Sequence, residues 1–533
     1  MKNSQLKFYK SLLKEGEYLL LKSKDAYFKS HYLSSPLNIL TNFSGTAGEA
    51  VLDYNGKITI FVDTRYHLLV EKQVFKNIEI YKIPLGETFF DAFKKKYKKN
   101  TVLHVSSDID LAEYTKYDEY FDLRTYKLKE KYLKNADLDM SAPVYPADKK
   151  VERYDFSYKI KKISELNPAV KKRLIFNLDH IAYLTNLRSF QLKNSSLFRS
   201  ILYLDFETKK HILFLDKIPN FKIKDLNFMS LKDFPNFIKS VKKSIYVNYK
   251  DITLSDFIAI NKPKEIKRDN FALLSSIKSL SEINYIKECA SKLDHAIYNF
   301  KKRLKAGLSE YDLVCMFEHE LAKSGAKTPS FSTILALGDN SASIHYTNSD
   351  KNKILKDESI ILLDCGGYWK NGFATDITRT FYFGCHPKEI HKKIYTYTLK
   401  AFINCFLSKE KSAFKIDALA RKILKPLEAE QFYFNHGLGH GIGTSVHQNP
   451  PVLDIQSRDV IKPYQTHSIE PGLYGGKDEK FGVRIENCVY FDLNYNRFSL
   501  SKFPFEEVLI EYSFLSKKET EFVKNWQRNF KIK

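Results

Sequence analysis

Cysteine, glycine, proline and tryptophan are all sparse in this 533-residue chain, at 6, 20, 16 and 2. The cysteines are Cys289, Cys315, Cys365, Cys385, Cys405 and Cys488; none forms a Cys-x-x-Cys pair, and the first 288 residues contain none. That excludes a disulfide framework and a thiolate metal site. Scarce glycine and proline exclude linker-rich and fibrous designs, and no unit recurs at solenoid spacing. No apolar run approaches the roughly 18 residues of a membrane span. Lys14, Glu15 and Glu17 interrupt any signal-peptide core. A soluble, cytoplasmic chain with no membrane partner is expected. Acidic residues are the minority, 63 against 86 Lys and Arg, for a formal charge of +23. Such a charge can mark a nucleic-acid partner. Here lysine is spread along the whole chain, and its clusters, such as Lys94-Lys95-Lys96 and Lys171-Lys172-Arg173, are short. No zinc-finger spacing, recognition helix or RNA-binding aromatic motif accompanies them. The charge therefore reads as a lysine-biased background, and no specific nucleic-acid partner is expected.

What is present is ample apolar material, 43% hydrophobic and 14% aromatic, in a chain long enough for about three or four domains. Residues 1 to about 140 alternate helical and strand patterns, with Lys57–Asp63 (KITIFVD) reading as a strand and Asn42–Gly48 as a turn. A charged stretch, Lys127–Lys134, leads to Pro143 and Pro146, a boundary signal. A second α/β unit runs from about 141 to 275, with a strand at Arg173–Leu178, a helix opening at Asp179 and a hairpin from Ile201–Asp205 and His211–Asp216. From Ser281 apolar residues recur at helical spacing. After Lys327 the pattern reads as strand-rich to about residue 495, and a last helix is expected from Lys517.

The chemistry gathers between His345 and Glu486. Ser359–Asp364 (SIILLD) is a strand pattern ending in a carboxylate, and Asp376 follows twelve positions later, ahead of another strand. A hairpin would bring both Asp to one place, although a lone Asp at a strand end is usually a turn cap. Asn435–His447 (NHGLGHGIGTSVH) holds His436, His440 and His447 among glycines at 437, 439, 441 and 443. Those glycines exclude a helical His face and permit close backbone approach to a ligand. Glu470 precedes a Pro-Gly turn, and Glu486 lies among apolar residues, where a carboxylate needs Arg484 or a cation. Two Asp, two Glu and one imidazole form an oxygen-rich set suited to Mn²⁺, Co²⁺ or Zn²⁺. Four carboxylates exceed the need of one divalent ion, which points to two.

At these residues the chain resembles the pita-bread metallopeptidases, and specifically three-domain aminopeptidase P. The order Asp364, Asp376, His440, Glu470, Glu486 matches that family's ligand set. Pro329–Tyr346 resembles the segment that delivers a catalytic histidine, here His345, while His436 and His447 match the other two site histidines. SGTAG at 44–48, DTRY at 63–66 and LDHIAYLTNLR at 178–188 resemble the two N-terminal domains. One departure is the Asp364–Asp376 spacing of 12, a residue longer than in many relatives.

The resemblance implies an α/β (α+β) chain. Two creatinase-like domains, 1–140 and 141–275, would precede a pita-bread catalytic domain, 276–500, and a C-terminal extension, 501–533. It implies a dinuclear Xaa-Pro aminopeptidase, with two divalent ions per chain, manganese first. Asp364 would serve one ion, His440 and Glu470 the other, and Asp376 and Glu486 both. Glu470 would carry the proton, His345 and His447 would steady the oxyanion, His447 or His436 would orient the proline side, and Arg484 would orient the carboxylates. The expected partners are peptides with N-terminal Xaa-Pro and a second copy of the chain in a homodimer. The alternatives are prolidase, which acts on Xaa-Pro dipeptides, and a non-catalytic peptide-binding module of the same fold.

Overall fold

The computed structural model describes residues 2–23, 35–127, 139–241, 244–267 and 269–530. Most of the charged stretch Lys127–Lys134 lies outside them. The chain divides into two compact units. The first comprises residues 1–145, 154–187 and 198–271; the second comprises 146–153, 188–197 and 272–533.

The first unit contains two six-stranded sheets of one topology. In the first sheet, Tyr18–Lys22 pairs antiparallel with Glu49–Asp53 and parallel with Val102–Ser106. In the second, Lys172–Ile175 takes the corresponding place, antiparallel to Ser200–Asp205 and parallel to Tyr246–Val247. The strands at Ile58–Val62 and the hairpin Ser200–Asp205/His211–Leu215 lie where the sequence pattern puts them. Leu178 starts a helix rather than ending a strand, because the Asn177 side chain caps the backbone N–H of His180. One apolar cluster, including Leu20, Val51, Phe61, Leu174, Tyr203 and Phe214, is shared by both sheets.

In the second unit, Leu280–Lys302 opens on a capping box, Ser279 with Glu282. Glu310–Lys323 follows, and both helices cover the sheet Ile334–Leu337, Ser359–Cys365, Ile377–Phe383. The strand-rich reading of 327–495 needs correction. Two helices, Glu389–Leu407 and Ala413–Leu424, lie inside it. The first is rich in Tyr, Phe, Ile and Thr and buries residues on several sides, so its sequence lacks a clean polar face and mimics strand composition. This helix pair and the sheets Thr466–Ile469, Asn487–Phe491, Arg497–Ser499 and Phe432–Tyr433, Gly472–Gly475, Phe481–Arg484 share a second apolar core. The helix Lys517–Arg528 seats Phe522 and Trp526 against it.

Candidate metal centre

Strand register assembles the acidic residues. Ser359–Cys365 and Ile377–Phe383 pair antiparallel with Asp364 opposite Thr378, so Asp376, one residue before the second strand, lies at the same end of the hairpin. Thr466–Ile469 pairs with Asn487–Phe491 with Ile469 opposite Asn487, which puts Glu470 and Glu486 at one edge. The backbone N–H of Glu486 donates to Thr378 O at 3.1 Å and joins the two sheets there.

The His-rich run is an extended, folded-back segment. Gly439–His440 pairs with Val452–Leu453. Its glycines serve chain packing: a Cβ on Gly439 would lie 2.3 Å from Ser468 O, and one on Gly441 2.1 Å from Gln448 O. The close approach read from the sequence as a ligand contact is thus, at these two positions, an approach of backbone to backbone. His440 Nδ1 donates to Gly441 O at 3.1 Å, which turns Nε2 toward the carboxylates. Nε2 stands 3.4 Å from Glu470 Oε1 and 3.6 Å from Asp376 Oδ2. Donor atoms of Asp376, His440 and Glu486 all lie within 4.8 Å of one another.

A divalent-ion pair fits this donor set. Asp364 Oδ1, Asp376 Oδ1 and Glu486 Oε1 are buried and have no hydrogen-bond partner among the described residues. Burial, then repulsion by Glu486, Asp364 and Glu470, pushes the Asp376 carboxyl well above the usual carboxylate range. Burial, then Glu470 and Asp364, does the same to Glu486. Buried carboxylates this crowded need a counter-charge. Arg484 supplies only part: Nη2 donates to Asp364 Oδ2 at 2.5 Å, Nε to Thr378 Oγ1 at 3.0 Å and Nη1 to Tyr474 Oη at 2.7 Å. Glu486 is therefore not in the simple Glu–Arg pair its sequence allowed; its Oε2 accepts from Thr378 Oγ1 at 2.7 Å.

The remaining predicted residues arrange by depth. Asp364, Asp376, Arg484 and Glu486 are buried, His440, Glu470 and His345 half-buried, and His447 exposed. The His447 ring centroid is 4.3 Å from that of His440. His345 comes in through its neighbour, since Ile344 O lies 3.4 Å from Arg484 Nη1. His436 is buried behind the cluster, its Nδ1 2.8 Å from Gly437 O and its Nε2 3.0 Å from Tyr474 Oη. A line of hydrogen bonds thus runs His436, Tyr474, Arg484, Asp364. Sequence reasoning missed Tyr474 and Thr378. Both stand close to ligands in the chain, but only tertiary contact gives them a role.

Comparison with known proteins bears on this geometry. The model of metallopeptidase family M24 matches residues 284–492. The Coprinopsis cinerea protein named "Probable Xaa-Pro aminopeptidase P" is 24% identical over 99% of this chain and 94% of its own length. An uncharacterized peptidase of Methanocaldococcus jannaschii is 30% identical over 60% of this chain and 87% of its own. Among solved structures, the X-prolyl aminopeptidase of Caenorhabditis elegans, described as a cytosolic enzyme with a di-nuclear active site, matches with a TM-score of 0.86 at 20% identity, covering 99% of this chain and 95% of that one. The prolidase of Pyrococcus horikoshii covers 66% of this chain and 99% of its own, with a TM-score of 0.56 at 24% identity.

Proposed function

The chain belongs to metallopeptidase family M24, and from that premise we propose that it is an Xaa-Pro aminopeptidase, releasing the N-terminal residue from peptides with proline in second position. The observation that carries the metal-dependent chemistry is the cluster of donor atoms of Asp376, His440 and Glu486 within 4.8 Å of one another, beside buried oxygens of Asp364, Asp376 and Glu486 that have no hydrogen-bond partner among the described residues. The aminopeptidase P relative aligned along nearly the full chain favours this substrate class over prolidase, whose solved relative covers only two thirds of it. The two matching sheets of the first unit support a division near residue 140 into two N-terminal domains, ahead of the catalytic domain at 276–500 and the extension at 501–533.

Asp364, Asp376, His440, Glu470 and Glu486 would hold two divalent ions, manganese first, with Asp376 and Glu486 serving both. Bound there, the ions supply an acidified water and a Lewis acid for the scissile carbonyl. The protein's residues do the rest. Glu470, half-open, takes a proton from the attacking water and delivers it to the leaving nitrogen. That nitrogen is tertiary in an Xaa-Pro bond and leaves only when protonated. His345, half-buried, and His447, exposed, donate to the developing oxyanion, and His447 also borders the proline side. Arg484 holds Asp364 in place, and His436 acts through Tyr474 on Arg484. A cytoplasmic homodimer completes the reading. The location is supported by the Caenorhabditis elegans relative described as a cytosolic enzyme, and the dimer by the resemblance to three-domain aminopeptidase P.

The test is hydrolysis of Xaa-Pro-Yaa, Xaa-Ala-Yaa and Xaa-Pro by manganese-loaded protein at one pH. Tripeptides with proline should be cut at least tenfold faster in kcat/KM than those with alanine, about 1.4 kcal/mol in the transition state. Preference for the dipeptide would make the chain a prolidase. No cleavage of any peptide would favour the binding-module alternative.

A further inference from the structure

Glu310 is a fully buried carboxylate whose side-chain hydrogen bonds among the described residues go to none of the proposed metal ligands. It stands at the start of the helix Glu310–Lys323, just after the Ser309 cap. Among the described residues no Lys, Arg or His pairs with it. Its charge is met by hydrogen-bond donors from one short segment. Oε1 accepts from the backbone N–H of Leu337 at 2.8 Å and from Asn340 Nδ2 at 3.1 Å. Oε2 accepts from Tyr346 Oη at 2.7 Å and from the backbone N–H of Asp350 at 3.0 Å. One carboxylate therefore ties residue 337, the last of a strand, to residue 350, and the loop between them carries His345.

The loop has a second anchor. Ser341 Oγ accepts from Gly482 N–H at 2.8 Å, and a Cβ on Gly482 would lie 2.0 Å from Ser341 O. That contact joins it to the strand Phe481–Arg484, which holds Arg484. Glu310 fixes the ends of the loop and Ser341 fixes its middle. His345 then has little backbone freedom, which a side chain aimed at a transition state needs. A buried carboxylate paired with neutral donors is costly unless every donor is present, so the arrangement is specific to this loop conformation.

We propose that Glu310 is a positioning residue for His345: through Leu337, Asn340, Tyr346 and Asp350 it holds the loop that presents this histidine to the substrate. The proposal rests on the reading of His345 as an oxyanion donor. The test is a double-mutant cycle on manganese-loaded protein, with Glu310→Gln, His345→Ala and both together. Glutamine keeps the shape but turns an NH₂ toward donors. Glu310→Gln should lower kcat at least tenfold, with KM and bound manganese within twofold of the parent, and should speed amide hydrogen exchange across residues 337–350. Tyr346→Phe, which removes one bond and keeps the ring, should give a smaller loss of the same kind. In the His345→Ala background, Glu310→Gln should cost less than twofold more. Multiplicative losses in the double variant, loss of manganese from Glu310→Gln, or unchanged kcat in it would overturn the proposal. Wild-type turnover of His345→Ala would overturn the role of His345 itself and this proposal with it.

Discussion

Glu486 sits where three demands meet. It is 1% exposed, one oxygen accepts from Thr378, and the other has no partner among the described residues. Glu486→Gln would offer an amide N–H₂ where a cation is expected, so bound metal should fall together with activity. Metal analysis after gel filtration checks this, and a variant with full metal content would remove Glu486 from the ligand set. A different group of residues governs acid stability. Burial lowers the pKa of His180, His211 and His391, and that of His467 to about 3. Their folded values lie below the unfolded value near 6.5, so the unfolded chain takes up protons first. The stability these histidines contribute is full above about pH 6.5 and falls as pH drops, by roughly 1.4 kcal/mol per proton per pH unit. For His467 the loss continues to about pH 3. In chelated protein the raised carboxyls of Asp376 and Glu486 act in the opposite direction, so the readout is the difference between variants: from pH 7 to pH 5 the melting temperature of His467→Leu should drop less, or rise more, than that of the parent. An unchanged slope in the variant would contradict the assignment.

Among the elements, the strand Ile377–Phe383 joins the site to the C-terminal segment. Arg379, on this strand, is buried and makes no ion pair among the described residues. Its guanidinium donates to the carbonyl oxygens of Thr378 at 2.9 Å, Glu486 at 2.7 Å, Phe503 at 2.6 Å and Pro504 at 3.0 Å. The C-terminal segment is thereby tied to the backbone of a predicted ligand. Trp526 Nε1 holds the same Phe503 carbonyl from the last helix at 3.1 Å. Arg379→Lys cannot reach four acceptors. Each buried carbonyl left unpaired costs about 1–3 kcal/mol. Denaturant unfolding should show a loss of a few kcal/mol together with weaker metal retention. A variant as stable as the parent would show the clamp to be dispensable.

For the whole molecule, the formal charge of +23 is the property most open to a competing reading. If it is lysine background, duplex DNA should bind only in the non-specific range, about 10⁻⁴–10⁻⁶ M, with steep salt dependence. Fluorescence anisotropy across a salt series measures this, and sequence-selective nanomolar binding at physiological salt would restore the nucleic-acid reading. No helix among the described residues is long and apolar enough to cross a membrane. The first unit repeats one sheet topology twice, a duplication that the sequence showed no sign of at solenoid spacing.

Local pattern was enough for some of this. A five-residue strand run ending in Asp364, glycines at alternate positions around His440, and a Pro-Gly turn after Glu470 are contiguous signals, legible because strand period, turn chemistry and ligand type are properties of short segments. The order of the five ligands carried the family resemblance for the same reason. Helix Glu389–Leu407 was not legible, because burial on several sides erases the amphipathic period that marks a helix. Nor were Tyr474, Thr378, Arg379 and Glu310. Each acts through hydrogen bonds to residues in other segments, among them His436 for Tyr474, Glu486 for Thr378 and Arg379, and Tyr346 for Glu310. Side chains of this kind look in sequence like any buried polar residue. Only strand register and loop packing decide which acceptor meets which donor, and so which carboxylates are left facing a cation.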